Sequence, residues 1–198
     1  MSRPRTFDDG SALDSALDEF WSRGYAATSM RDLSVAMGLG AASIYNAFGD
    51  KQTLFARCLD RYLDGSMRAR IAVCETLPPR EAVVAFLSGI VTRSLEDRRG
   101  CLLVNTAVEL AAHEPALAAL VNERLAELEG FFARSIRHGQ EDGSIIGHRD
   151  ADDLARLFVA SVLGLRVLAR SRPNGDVLHG IARQALSLLD PPAGESAT

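Results

Sequence analysis

The sequence predicts an all-α protein, with three short helices in front of a larger helical bundle and about nine helices in total. Three observations predict this. Apolar residues recur at helical spacing almost from end to end, and no alternating stretch is long enough for a half-buried strand. The joints between the periodic segments are capping or turn chemistry: "DRRG", "EDGSIIGHR" and "RPNG".

The elements follow in order. In "ALDSALDEFWSRG" the apolar Leu13, Ala16, Leu17, Phe20 and Trp21 share one face, and Gly24 supplies the stop. Thr28 or Ser29 offers an N-cap for a short helix running to Met37, which Gly38 ends in the left-handed conformation. A second short helix covers 40–47. Asp50 then caps a longer one, 50–76, which must stop before Pro78 and Pro79 because proline disfavours helical geometry in the residue before it. That proline pair marks the expected domain boundary. Further helices are expected at 79–97, 101–112, 115–140, 150–171 and 175–189, with a frayed tail, "PPAGESAT".

At 198 residues and 47% hydrophobic content, the chain can build a proper core. No stretch approaches the ~18 consecutive apolar residues of a membrane span, so a cytoplasmic protein with no membrane partner is expected. Cys58, Cys74 and Cys101 are odd in number and never spaced as Cys-x-x-Cys, and the four histidines show no chelating pattern; free thiols, no metal and no cofactor are expected. The net charge is −4, with seven basic and nine acidic residues in 1–64 and 15 and 17 in 65–198. Neither part is basic overall, so any contact with nucleic acid has to come from the placement of charge rather than its excess.

The informative stretch is "GLGAASIYNAFGDK", which ends in the only lysine of the chain. Leu33 and Met37 lie one turn apart on the first short helix, Leu39 sits in the turn, and Ile44 with Ala47 or Phe48 forms the inner side of the next helix. A glycine-containing turn of this length sets two such helices at a steep angle, which is a helix-turn-helix. Gly40, Ala41, Ala42, Ser43, Tyr45 and Asn46 are left facing outward. A helix entering the DNA major groove needs small residues at its first turn and a few side chains able to bond base edges or touch a thymine methyl. No charged side chain occurs between Leu33 and Gly49, so no carboxylate opposes the phosphates; Arg31 and Lys51 flank the segment. A purely structural hairpin would instead carry solvating Glu and Lys on its outer face.

The stretch "FWSRGYAATSMRDLSVAMGLGAASIYNAFGDKQTLFARCL" resembles the N-terminal domain of the TetR family of bacterial transcriptional repressors: Gly-aromatic, two hydroxyl residues before the second helix, glycine in the turn, aromatic at Tyr45, then Phe48 and Lys51. The likeness covers about residues 8–58. It implies a DNA-binding domain at 1–49, a connecting helix at 50–76 and an effector-binding and dimerisation domain at 77–198. It also implies a homodimer on palindromic double-stranded operator DNA, with Tyr45, Lys51, Thr28 and Ser29 on phosphates and Ala41 to Asn46 reading bases. The chain departs from the family pattern at Gly40 and Ala41, where a hydroxyl cap and a basic residue are usual. Glycine is a tolerable cap, but a cation at the groove is missing, which makes Arg3 and Arg5 candidates for minor-groove contact.

In the remainder, Leu157, Ser161, Gly164, Leu165 and Leu168 form an apolar stripe with small residues, and Val177, Ile181, Ala185 and Leu188 lie beside it; these are the candidate dimer interface, with an intramolecular core as the competing reading. Reading half-sites ~34 Å apart requires a fixed dimer. Cys101 follows Arg98 and Arg99 at a helix start, where dipole and cations favour thiolate. It is either a sensor of electrophiles, as in some family members with a similar Gly-Cys-Leu segment, or a small core residue. Asn105 and Glu109, further along the same face, are the alternative effector contacts. The expected function is a ligand-responsive repressor released by an unknown small-molecule effector, with thiol sensing through Cys101 as the alternative. An α-helical enzyme has no nucleophile–base motif or phosphate loop to support it, and an architectural bundle is the remaining competitor.

Overall fold

The computed structural model describes residues 8–97, 99–110 and 114–190. The expected arm with Arg3 and Arg5, Arg98, and the tail 191–198 lie outside the described residues. Among those described there is no strand. The order is α1 (Asp9–Arg23), α2 (Met30–Met37), α3 (Ala41–Phe48), α4 (Lys51–Leu63), a π turn (Asp64–Arg68), α5 (Ala69–Cys74), α6 (Pro79–Glu96), α7 (Leu102–Leu110), α8 (Pro115–Glu141), α9 (Ala151–Ser171) and α10 (Gly175–Leu186), closed by a 3₁₀ turn (Ser187–Leu189). With α4, the π turn and α5 counted as one rod, there are nine rods among the described residues.

Local chemistry explains the boundaries. Asp8, Ser29, Asp50, Asp150 and Asn174 each accept backbone N–H bonds as N-caps. Ser29 and Asp32 close a full capping box on α2. Gly38 takes φ 63°, ψ 27° between α2 and α3, the left-handed geometry the turn requires.

The amino-terminal helices pack around an aromatic knot: the ring of Phe55 on α4 meets Phe20 and Tyr25 edge-on, each at 5.0 Å, with Leu33, Ile44 and Phe48 buried beside it. Behind, α8 lies along α9, and α6 packs against both. Phe86, Phe131, Phe132 and Phe158 form a continuous ring stack there, with neighbouring centroids 5.1–5.4 Å apart. A seam of ions ties the α4 rod to α8. Arg68 holds Glu127 with two bonds of 2.8 Å, while Arg124 reaches Asp60 and Glu127, each at 2.9 Å.

The expected uninterrupted helix at 50–76 is corrected: the rod carries a π turn at "DGSMR". Gly65 and Ser66 supply the flexible pair at which helices depart from regular geometry, and Ser66 Oγ donates back to the Tyr62 carbonyl at 2.6 Å. The expected stripe on α9 is also corrected at Leu165, which is 0% exposed and belongs to the core. One residue is 100° of helix, so Leu165 cannot share a face with Gly164. The exposed line is Leu157 (44%), Ala160, Gly164, Val167 (47%) and Ser171. Leu168 is half-buried and packs on the core. Leu157, Ser161, Val177, Ile181, Ala185 and Leu188 together line an open groove between α9 and α10.

Candidate functional site

The second short helix is held from below. Ile44 and Phe48 are buried in the aromatic knot, and Leu33 and Met37 of α2 pack beside them. Arg57 of α4 fixes the far end: its guanidinium donates to the Ala47 carbonyl at 3.0 Å and lies 4.7 Å from the Phe48 ring centroid. A cation there satisfies a carbonyl that the helix leaves open and suits the negative end of its dipole. Ala41, Ala42, Ser43, Tyr45 (52% exposed) and Asn46 all face solvent. Gly40 caps α3 with no side-chain bond, and nothing lies within 4 Å of where its Cβ would stand.

The flanking residues divide. Arg31 is exposed at the start of α2 and has no ion pair among the described residues. Lys51 begins α4 with its ammonium 4.2 Å from the Tyr25 ring centroid, and partial burial pulls its pKa below the ordinary lysine value. Ser29 gives its proton to Asp32 Oδ2 at 2.6 Å while its oxygen accepts from the Asp32 N–H, so the hydroxyl is engaged in the cap. The expectation of a phosphate contact by Thr28 is corrected. Thr28 is 1% exposed and its hydroxyl donates to the Gly24 carbonyl at 2.7 Å, tying off the end of α1.

A cavity of about 70 Å³ lies in the larger bundle, enclosed by the α4 rod and α6–α9. Its wall is mostly apolar, with Met67, Phe86, Leu128 and Val162 among the lining residues. Polar atoms enter from Tyr62, Ser66, Cys101 and three arginines, Arg70, Arg93 and Arg166. One of the polar contributors, Ser66, comes from the π turn itself, a common use of such turns.

The structure separates the three candidate effector residues. Cys101, just before the first residue of α7, lines the cavity and is part-buried. The expected activating role of Arg99 is corrected, because its guanidinium lies 3.8 Å from the Trp21 ring centroid and pairs with Asp97 and Asp18. The cation that shares the cavity wall with Cys101 and the Tyr62 phenol is Arg166. Asn105 and Glu109 do not face this cavity. Asn105 donates to the Arg99 carbonyl at 3.1 Å, and Glu109 accepts from the Ala26 N–H at 2.9 Å. Cys101 precedes the helix, so a 3.6-residue count begun at it misplaces the next two turns.

α7 therefore has two working sides. Cys101, Leu103 and Val104 line the cavity, while Glu109, with Arg99 just upstream of the helix, grips the amino-terminal helices at Ala26, Trp21 and Asp18. The sequence reading missed Arg99 and Trp21 as a joint, and Arg57 behind the outward helix. It also missed Arg166, although its spacing from Phe158 and Val162 at successive fourth residues placed it on a buried register.

Comparison with known proteins fits this layout. Residues 12–58 match "Bacterial regulatory proteins, tetR family", and 79–185 match "Tetracyclin repressor-like, C-terminal domain". The chain belongs to the TetR family of transcriptional regulators. It is 31% identical over 190 residues to the HTH-type transcriptional repressor ComR of Escherichia coli strain K12, a match covering 94% of this chain and 90% of ComR. It is 30% identical to the uncharacterized HTH-type transcriptional regulator YezE of Bacillus subtilis strain 168, over 96% of this chain and all of YezE. A cysteine-substituted form of the TetR-family regulator CifR, solved in complex with a 26-bp double-strand operator DNA, is 33% identical with a TM-score of 0.85, over 96% of this chain and 100% of that one. These TetR-family relatives are regulators, and the chain is a regulator rather than an enzyme. No helix among the described residues is long and apolar enough to cross a membrane.

Proposed function

We propose that this TetR-family chain is a ligand-responsive repressor that binds a palindromic double-stranded operator as a homodimer. On this reading residues 1–49 read DNA, 50–76 connect, and 77–198 bind effector and partner. The outward, uncharged face of α3 carries the proposal: Ala41, Ala42, Ser43, Tyr45 and Asn46 exposed over a buried Ile44 and Phe48. Small residues let the helix approach the base edges, Ser43 and Asn46 can bond to them, and Tyr45 with Arg31 and Lys51 reach the backbone. The apolar line of Leu157 and Val167 on α9 with the α9–α10 groove is the surface for the partner copy. Effector in the cavity acts through α7, which touches both the cavity and the amino-terminal helices. Only a ligand that prefers one arrangement of that joint shifts DNA affinity.

A gel shift with DNA from the intergenic region upstream of the chain's own gene tests the reading. A retarded band competed by specific but not random duplex is expected; no specific band at micromolar protein would end it. Lys51→Ala should weaken specific and random DNA about equally and lower the salt slope by about 1, as loss of one phosphate contact does. A change confined to one operator base would reassign Lys51.

A further inference from the structure

Arg166 is 5% exposed and has no carboxylate within ion-pair distance among the described residues. Its guanidinium donates to Ser94 Oγ at 3.1 Å and to the Gly100 carbonyl at 2.8 Å, both neutral acceptors, and Tyr62 lines the same cavity wall. Arginine carries five N–H donors and cannot shed its charge, so burial without a counter-charge is costly. A cation held in such a place leaves its pairing to something that arrives. What it faces is a cavity with Arg70 and Arg93 also in the wall and no Asp or Glu among the lining residues. Arg93 is half-exposed and loosely paired with Asp97 at 3.6 Å and Glu96 at 4.0 Å; Arg70 has no ion pair among the described residues and lies across Gly89, where a Cβ would meet its Nη1 at 1.8 Å. Burial holds the Tyr62 phenol above its ordinary pKa, so it keeps its proton as a second donor beside Arg166.

We propose that this cavity binds a small organic carboxylate, its anionic head on Arg166 and the Tyr62 hydroxyl and its short hydrocarbon tail among Phe86, Leu128 and Val162. The wall decides between anions: an inorganic ion would satisfy the cations but leave the apolar lining facing water, whereas a carboxylate with a tail satisfies both. A space of about 70 Å³ admits a compact molecule rather than a long acyl chain. The inference rests on the effector role proposed above and names the chemistry of that effector.

The test is titration calorimetry on the full chain at neutral pH with butanoate, hexanoate and benzoate, each against its primary amide, and with sodium sulfate as the inorganic arm. At least one carboxylate should bind ten-fold or more tighter than its amide, and sulfate should be weaker than that carboxylate. Arg166→Gln should bring the carboxylate-to-amide ratio close to one while leaving the amide within about three-fold. Should that variant fail to fold by circular dichroism, Tyr62→Phe should still cut the ratio several-fold. Amides binding as well as carboxylates, sulfate binding as tightly, no probe binding at all, or a ratio that survives in Arg166→Gln would each overturn the site. A gel shift with the tightest carboxylate separates the two readings: binding without release of DNA leaves the anion site standing and removes its effector role.

Discussion

Two sets of arginines in this molecule are treated in opposite ways. Arg68 and Arg124, in the seam between the α4 rod and α8, are ringed by Asp60, Asp64 and Glu127. Arg70 and Arg166, on the cavity wall, have no acid beside them among the described residues. The difference separates two uses of one side chain. Charges that fasten helices bring their partners with them, whereas charges that serve recognition stay open and are kept affordable by neutral acceptors.

The comparison can be broken by mutation. The largest effect should come from Glu127→Gln, which strips the shared carboxylate from Arg68 and Arg124. The groups are about one-third exposed, so solvent screening limits the loss to about 1–2 kcal/mol, or a fall in Tm of about 2–8 °C in a thermal melt. Arg166→Met should leave Tm closer to wild type or raise it, because an apolar side chain of similar length replaces an unpaired buried charge. A fall as large as that of Glu127→Gln would show Arg166 to be a fastener too.

Acid sharpens the contrast. Arg68 and then Arg124 hold the Glu127 carboxyl below its ordinary pKa. A depressed acid contributes stability that is fully present above its unfolded value, about 4.3, and lost as pH falls through the lower folded value. Melts from pH 6 down to 3 should therefore fall less steeply in Glu127→Gln than in wild type. The smallest effect is expected from Gly89→Ala. Removing a helix-interior glycine adds up to about 1 kcal/mol, offset by moving the Arg70 head, so Tm should change little while binding in the cavity responds.

Much of the layout was legible because it is written in short-range chemistry. Helix ends follow from Gly24, Ser29, Gly38 and Asp50, and the outward side of α3 follows from the spacing of Ile44 and Phe48. What escaped depends on contacts that residue spacing alone does not display. Thr28 reads as a free hydroxyl until Gly24 is seen to accept it, and Glu109 reads as a pocket residue until Ala26 is brought to it from 83 residues away. The π turn escaped because Gly65 and Ser66 are compatible with a helix and only its surroundings choose otherwise. Leu165 was misplaced by counting apolar residues instead of angles.

The lone lysine has a practical consequence. With Lys51 poised on the Tyr25 ring at the entry to α4, acylation of lysine has one address in the whole chain. With the α-amine blocked, an amine-reactive dye would therefore mark the shoulder of α3 without any engineered cysteine, and its brightness would track whether duplex is seated there.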